Sequence, residues 1–343
     1  MKALVTGANG FVGSHLCEHL VASGDSVRAL VRKTADVKWL EGVAVEKVFG
    51  DVSAPESLAA ALAGVDVVFH VAGLTKSARP GPLFAVNEKG TAIVLDAVAR
   101  AGGTPPPVVV VSSLAAAGPS PDVAAPNDET ATPHPVSWYG RSKLAQERAS
   151  RARASRVPVT IVRPVVVYGP RDRDALELFK LAARGVVPAP GFGEKRFDWI
   201  HVRDLVRGIR AAGEKGTRIG PARPGDPLDA PGGVYFLNGG ENWSWRELAD
   251  AAGLATRGRT PFVPPVPMAV TWIVGALGEL RGRLTGVPSI VNLDKAREGQ
   301  AAHWICDASK AARELGFVPE IPLRQGFEET TRFYRGNGWL PAR

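Results

Sequence analysis

The sequence predicts an α/β protein: a doubly wound parallel sheet with a smaller C-terminal region. Three observations predict it. Short β-branched segments alternate with helical patterns through the first half of the chain. A glycine-spaced bend, Thr6-Gly7-Ala8-Asn9-Gly10-Phe11-Val12-Gly13, stands between the first strand segment and the first helical pattern. The run Val108-Val109-Val110-Val111 reads as a strand buried on both faces, as parallel strands are.

Taken in order, residues 3–5, 26–31, 45–49, 65–71, 108–112 and 159–162 read as strands. Residues 15–23, 58–63, 90–101 and 139–154 read as the helices between them. After Gly169 the pattern loosens. Residues 118–136 and 213–233 read as long polar surface loops, and loops of that length often border a site. Residues 261–280 hold Phe262, Val263, Val266, Met268, Val270, Trp272, Ile273, Val274 and Leu277. Such a segment can be an apolar lid, a membrane-surface helix or a core helix of the second region. Its length favours the core helix.

With 343 residues, 45% hydrophobic and 22% charged, the chain is long enough for a substantial core. The formal net charge is +8, but Lys and Arg are scattered, with one modest cluster over 141–156. A solvated helix face explains that cluster, so no nucleic-acid partner is expected; the charge suits an anionic ligand. Two cysteines, Cys17 and Cys306, show no metal-ligand or disulfide spacing and fit a reducing compartment. Cys17 reads as a small core residue. No metal site is expected. Met1 and Lys2 lead straight into the first strand segment, and no run reaches about 18 apolar residues. A cytoplasmic protein without a spanning segment is therefore expected.

The glycine bend has the GxxGxxG spacing in the context that a dinucleotide requires. Gly7 permits the tight turn, Gly10 lets a pyrophosphate approach the backbone, and Gly13 lets the helix pack closely on the sheet. Free N–H groups at the helix start, around Phe11 and Val12, face the phosphates. The second strand ends Leu30-Val31-Arg32-Lys33, without the acid that usually holds an NAD ribose. Arg32 can meet a 2′-phosphate instead, so NADP(H) is favoured and NAD(H) remains possible. The bland reading of Arg32 and Lys33 is a pair of surface charges. Asp51-Val52, after the third strand, can contact adenine, or Asp51 can cap a helix.

Tyr139-Gly140-Arg141-Ser142-Lys143 places a phenol and an ammonium at i and i+4, on one helix face. A free phenol, with a pKa near 10, is a poor base at neutral pH. A nearby ammonium favours the phenolate and makes Tyr139 a candidate general acid/base. Ser112-Ser113 ends the Val-rich strand, where a hydroxyl can hold the reacting oxygen. A Tyr/Lys pair on a helix is usually structural; combined with the glycines and the Ser-Ser strand end, in this order, it carries weight.

The chain resembles the extended short-chain dehydrogenase/reductases, the superfamily of sugar-nucleotide epimerases, 3β-hydroxysteroid dehydrogenases and dihydroflavonol reductases. The resemblance runs over almost the whole length. It rests on Gly7/Gly10/Gly13, Asp51, Phe69-His70-Val71-Ala72-Gly73, Asn87 with Gly90-Thr91, Ser112-Ser113 and Tyr139/Lys143. It continues through Arg163-Pro164, Tyr168-Gly169-Pro170-Arg171-Asp172, Trp199 to Asp204, and Asp307-Ala308-Ser309-Lys310-Ala311. It implies a Rossmann-type doubly wound parallel sheet over residues 1–170, with later returns near 198–212 and 234–240. A mainly substrate-binding region then covers 171–343. It implies hydride transfer between the nicotinamide and a ketone or secondary alcohol. Ser113 would bind the reacting oxygen, Tyr139 would exchange the proton, and Lys143 would hold the nicotinamide ribose and lower the Tyr pKa. Gly7, Asn9, Gly10, Phe11, Val12, Gly13, Arg32, Asp51, Val52, Val71, Ala72, Gly73, Asn87, Ser112, Pro164, Val166 and Val167 would contact the cofactor, with Tyr139 and Lys143. A homodimer is possible.

Departures narrow the branch. Ser113 is followed by Leu114-Ala115-Ala116, without the acid pair of the sugar dehydratases. Val166 stands where many nucleotide-sugar epimerases carry Asn, and Phe197 where they often carry Arg, although Arg171 and Arg196 lie close by. An apolar pocket discriminates against a sugar diphosphate, because buried polar groups need partners. The expectation is an NAD(P)-dependent oxidoreductase of an apolar or cyclic small molecule. Its substrate side is drawn from Leu74, Thr75, Lys76, Ser113, Leu114, Trp138 and Val165. For Trp138, pocket and packing are equal readings, and His201 reads as structural. The alternative activity is an NAD-dependent sugar epimerase; a non-enzymatic cofactor sensor ranks lowest, because Tyr139 and Lys143 are both present.

Overall fold

The computed structural model describes residues 1–220, 232–285 and 292–342. Strand β1 (Lys2–Thr6) enters the bend at Gly7, and α1 (Phe11–Ala22) leads to β2 (Ser26–Val31) and β3 (Val45–Phe49). A short α2 (Ala59–Leu62) precedes β4 (Val67–His70). Helix α3 (Pro80–Phe84) passes through a π-helical turn, Ala85–Gly90, into α4 (Thr91–Arg100). Then come β5 (Val108–Val111), α5 (Leu114–Ala117), α6 (Trp138–Arg151) and β6 (Val159–Pro164). With β10 (Val234–Leu237), these strands make a seven-stranded sheet in the order β10-β6-β5-β4-β1-β2-β3. Every pairing in it is parallel.

The central strands are buried on both faces, so β5 is four consecutive valines rather than an alternating pattern. The edge strand β3 instead exposes Glu46 and Lys47, charges that discourage edge-to-edge pairing. Arg28, buried on β2, donates through one guanidinium nitrogen to the carbonyls of Ala60, Ala61 and Ala63 at distances of 3.1, 2.8 and 3.0 Å. It thereby satisfies carbonyls that the end of α2 leaves open.

The second half builds a smaller layer. Strand β7 (Val166–Tyr168) pairs with β9 (Arg196–His201), and β9 also pairs with β11 (Asn242–Ser244) and β13 (His303–Trp304). Helices α7 (Leu176–Arg184), α9 (Trp245–Arg257) and α13 (Leu323–Gly336) enclose an aromatic core. Tyr168 meets Trp199, His201 and Phe327 at centroid distances of 5.6, 5.3 and 5.1 Å. His201 also accepts the Arg203 N–H, capping α8 (Val202–Lys215), which packs on α1 and on the main sheet. Beside this layer lie a two-strand ribbon, β8 (Ala189–Pro190) with β12 (Pro265–Val266), and helices α10 (Met268–Thr285), α11 (Leu293–Gln300) and α12 (Ser309–Leu315).

The structure corrects several readings. Helix α1 starts at Phe11, four residues before the apolar spacing showed it, because Gly10 can be a helix start without a capping side chain. The stretch 213–233 is not a loop from its beginning: α8 runs to Lys215, and 221–231 lies outside the described residues. The cluster 141–156 is not simply a solvated face, since Lys143 and Arg151 are buried. The core-helix reading of 261–280 is overturned. Helix α10 buries only Gly275 and Gly282 and leaves Val270, Ile273, Val274, Leu277 and Leu280 exposed. An apolar stripe shows that a helix has a greasy face, not that another element covers it.

Candidate active site

The bend after β1 is fixed by steric fit. Gly7 has φ +68°, and a Cβ there would lie 2.8 Å from the Ala72 backbone. A Cβ on Gly13 would come within 2.1 Å of the Gly7 carbonyl oxygen. Gly10 is exposed, and its N–H donates to the Gly7 carbonyl at 3.0 Å. No side chain caps α1, so its first N–H groups, from Phe11 onward, are available to an external acceptor. Asn9 anchors the bend to the β2–β3 connection, donating to the Asp36 carbonyl at 3.2 Å.

From this bend a continuous line runs to α6. Thr6 Oγ1 accepts the Ala72 N–H at 3.2 Å, next to half-buried Val71. Gly73 follows, where a Cβ would stand 3.3 Å from Asn87 Oδ1 and 3.6 Å from Lys143 Nζ. Asn87 accepts the Leu74 N–H at 2.8 Å and donates to the Leu74 carbonyl at 2.9 Å and to Ser142 Oγ at 2.9 Å. One buried amide thus ties the strand-four loop to α6. Below it, His70 bridges Thr6 and Thr91 at 2.8 Å on each ring nitrogen, and burial lowers its pKa to about 3.

Lys143 is buried, and its Nζ donates to the Val111 carbonyl at 2.7 Å. Burial lowers its pKa to about 7, against the pull of Glu147. Burial pushes the Tyr139 phenol above its ordinary range; the Ser113 hydroxyl, within hydrogen-bonding reach, and the Lys295 ammonium pull it back. Desolvation outweighs these two contributions. Ser113 is also the N-cap of α5, its Oγ accepting the Ala115 N–H at 3.1 Å. Ser112 points elsewhere: its hydroxyl donates to Glu147 at 2.5 Å, and Glu147 holds Arg163 at 2.9 and 2.7 Å, all buried.

The remaining candidates are spread around this centre. Arg32 is exposed at the end of β2. Asp51 lies near enough for Arg32 to help hold its carboxyl low, behind the stronger effect of the Ser53 N–H and hydroxyl, which bind it at 2.8 and 2.7 Å. Val52 packs toward Gly90 on the π turn. Pro164 and Val165 are buried, Val167 half-buried and Val166 exposed. Leu114 is buried in the main core, and Thr75 is exposed. Lys76 forms an ion pair with Asp174 at 2.5 Å, joining the two halves across the site. Trp138 is 38% exposed, with the Arg141 guanidinium 4.9 Å from its ring centroid.

Sequence reading missed the groups that α11 brings. Asp294 accepts the Trp138 and Tyr139 N–H groups at 3.0 and 3.2 Å, and Ser137 Oγ accepts the Gly140 N–H at 3.0 Å. The start of α6 is fully capped, while that of α1 is open. Lys295, paired with Glu298 at 2.7 Å, is near enough for its charge to act on the phenol. Separations of more than 150 residues gave no local signal for either contact.

The parallel order β3-β2-β1-β4-β5-β6, with a glycine bend after β1 and an uncapped α1, defines a Rossmann-type dinucleotide-binding protein. The profile described as the NAD dependent epimerase/dehydratase family matches residues 3–223, and the chain belongs to that family. Among curated relatives, a ceramide reductase of Caulobacter vibrioides is 32% identical over 98% of this chain and 95% of its own. A sterol demethylase protein B of Methylococcus capsulatus is 31% identical over 99% of this chain and 100% of its own. The solved structure of MoeE5 in complex with UDP-glucose and NAD is 26% identical, with a TM-score of 0.70, over 98% of this chain and 99% of that one. The family uses NAD(P). Among the described residues, no helix is long and apolar enough to cross a membrane.

Proposed function

We propose that this chain is an NAD(P)-dependent oxidoreductase acting on a ketone or secondary alcohol of an apolar or cyclic small molecule, with Tyr139 as general acid/base. The observation that carries the reading is the half-buried Tyr139 side chain, its phenol within reach of the Ser113 hydroxyl, with Lys143 beside Gly73 on the line from the glycine bend. When bound, the nicotinamide supplies or accepts the hydride. Gly7, Gly10, Gly13 and the open start of α1 hold the pyrophosphate, Lys143 and Asn87 flank the nicotinamide end, and Arg32 favours NADP(H). Ser113 orients the substrate oxygen, and Tyr139 donates or accepts its proton. A raised phenol pKa suits the acid role, that of a reductase delivering a proton to a forming alkoxide.

The named relatives that reduce a ceramide and act on sterols support an apolar substrate. So does Phe197, which meets Trp245 edge-to-face at a centroid distance of 5.8 Å instead of presenting a guanidinium. Residues 1–170 serve mainly the cofactor and 171–343 mainly the substrate. The test is NADPH oxidation against a panel of apolar ketones. Wild-type turnover that vanishes in Tyr139→Phe, with cofactor affinity retained, is the expected result. Tightly held, non-exchanging NAD together with epimerisation of a nucleotide sugar would replace this reading by the epimerase one.

A further inference from the structure

Among the described residues, one face of helix α10 is left to solvent and is largely apolar. Val270, Ile273, Val274, Leu277, Leu280 and Leu284 recur at spacings of three and four, so they line a single stripe. Ile273, Leu277 and Leu284 are 61%, 62% and 78% exposed. The opposite face is closed: a Cβ at Gly275 would stand 3.0 Å from the Asn292 carbonyl and 3.4 Å from Ala296 of α11. The apolar surface continues beyond the helix. Met268 packs at Gly191, next to exposed Phe192, and the β8–β12 ribbon leads on to Val186 and Phe262, which form a bridge and are both exposed.

Cations border this surface. Arg281 falls within the α10 stripe, one turn beyond Leu277. Arg184 precedes Val186 by two residues, Arg259 precedes Phe262 by three, and Arg257 lies against Gly185. None of these four forms an ion pair among the described residues, whereas Glu279, on the other side of α10, is already engaged by Arg283 at 2.5 Å. Exposed aliphatic side chains with guanidiniums that form no ion pair among the described residues at their flanks match the two layers of an anionic bilayer surface, acyl chains below and phosphates above. A second copy of the chain matches less well, since a two-fold contact through this face would bring the same cations together.

We propose that the α10 face, with Phe262 and the flanking arginines, docks this protein onto the surface of an anionic lipid bilayer. Helix α10 lies along the interface and does not cross it. The docking does not depend on the reaction assigned above, and it is tested without turnover. Docking nevertheless sets the site beside the membrane, because α10 packs on α11 and α11 supplies Asp294 to the catalytic helix.

The experiment is co-sedimentation of the full-length protein with vesicles of phosphatidylcholine alone or with roughly one third phosphatidylglycerol, at low and high salt. The expected result is binding to the anionic vesicles that weakens with salt and falls at least tenfold in Ile273→Ser/Leu277→Ser and in Arg259→Glu/Arg281→Glu. Both double variants should keep the wild-type circular dichroism spectrum and cofactor affinity. No binding to either vesicle, or binding unchanged in both variants, would overturn the proposal. So would a dimer, seen by sedimentation velocity and lost in Ile273→Ser/Leu277→Ser, in a protein that ignores vesicles; the face would then be a subunit contact.

Discussion

The Asp294 carboxylate accepts the backbone N–H of Tyr139 at 3.2 Å, from a helix 155 residues further along the chain. It takes the Trp138 N–H at 3.0 Å as well, and Arg297 holds it in place at 2.9 Å. The phenol's position therefore depends on the C-terminal region as well as on the sheet that carries α6. A negative charge at a helix start also favours the helix dipole.

Removing that carboxylate should displace the phenol before it unfolds the protein. Asp294→Ala is expected to lose about 1–2 kcal/mol of stability, the range for a lost helix cap. It should also lower kcat, by about five- to thirtyfold if a similar energy is lost from the transition state, and leave the cofactor Kd unchanged. Asp294→Asn keeps one acceptor oxygen and should recover part of the rate. Parallel measurement of kcat and cofactor affinity separates this from general loosening, which would weaken both.

Lys143 gives the stability of the fold a defined pH dependence. Its folded pKa, about 7, lies below the ordinary 10.5, so the unfolded chain holds more protons above pH 7. Stability then rises with pH through that window, and the burial cost is felt in full below pH 7. Between pH 7 and about 8.5, before thiols and phenols of the unfolded chain ionise, the gain is roughly 1–2 kcal/mol. Asp172 and Asp198 have pKa values raised by burial to about 7 and about 6, so their contribution is lost as pH rises toward neutrality and hardly enters the window. Urea unfolding at the two pH values, with Lys143→Met as control, should show the rise in the wild type alone. Equal slopes would remove Lys143 as the cause.

The main sheet was legible because its elements announce themselves locally. Residues 26–31 and 45–49 were bounded as the structure bounds them, since β-branched runs end at turn residues there. The family was legible because Gly7, Gly13, Tyr139 and Lys143 obey local spacing rules. What escaped was long-range. Neither Asp294 on α6 nor Lys295 near the phenol leaves a trace in a short window. The i,i+4 spacing puts an ammonium on the same helix face but does not say that it also donates to the Val111 carbonyl. For α10, periodicity fixed the helix and its stripe, while covering depends on what else packs there.

The buried pair Glu147–Arg163 supports the site from below. Both side chains are 1% exposed, and Ser112 adds its hydroxyl to the carboxylate. Glu147→Gln leaves the guanidinium without its counter-charge in the core, a change that costs about 3–5 kcal/mol. Glu147→Leu combined with Arg163→Met should regain much of that loss, because a well-packed apolar pair avoids the desolvation cost altogether. Denaturant midpoints of the single and double variants check this. A single variant as stable as the wild type would show that water reaches the pair.

The proposed preference for NADP(H) turns on Arg32. It is exposed at the end of β2, forms no ion pair among the described residues, and stands where an NAD-specific acid is absent. Asp51, the nearby carboxylate, is bound by the Ser53 N–H and hydroxyl, so it does not compete for the guanidinium by direct contact. A charge-assisted contact of Arg32 with a 2′-phosphate is worth about 1.5–3 kcal/mol. Arg32→Ala should therefore raise the Kd of NADPH by roughly ten- to a hundredfold and leave that of NADH within about twofold. Fluorescence titration of both cofactors measures the ratio directly. Equal weakening of the two would mean that Arg32 only shapes the loop, and tighter NADH than NADPH in the wild type would assign the site to NAD.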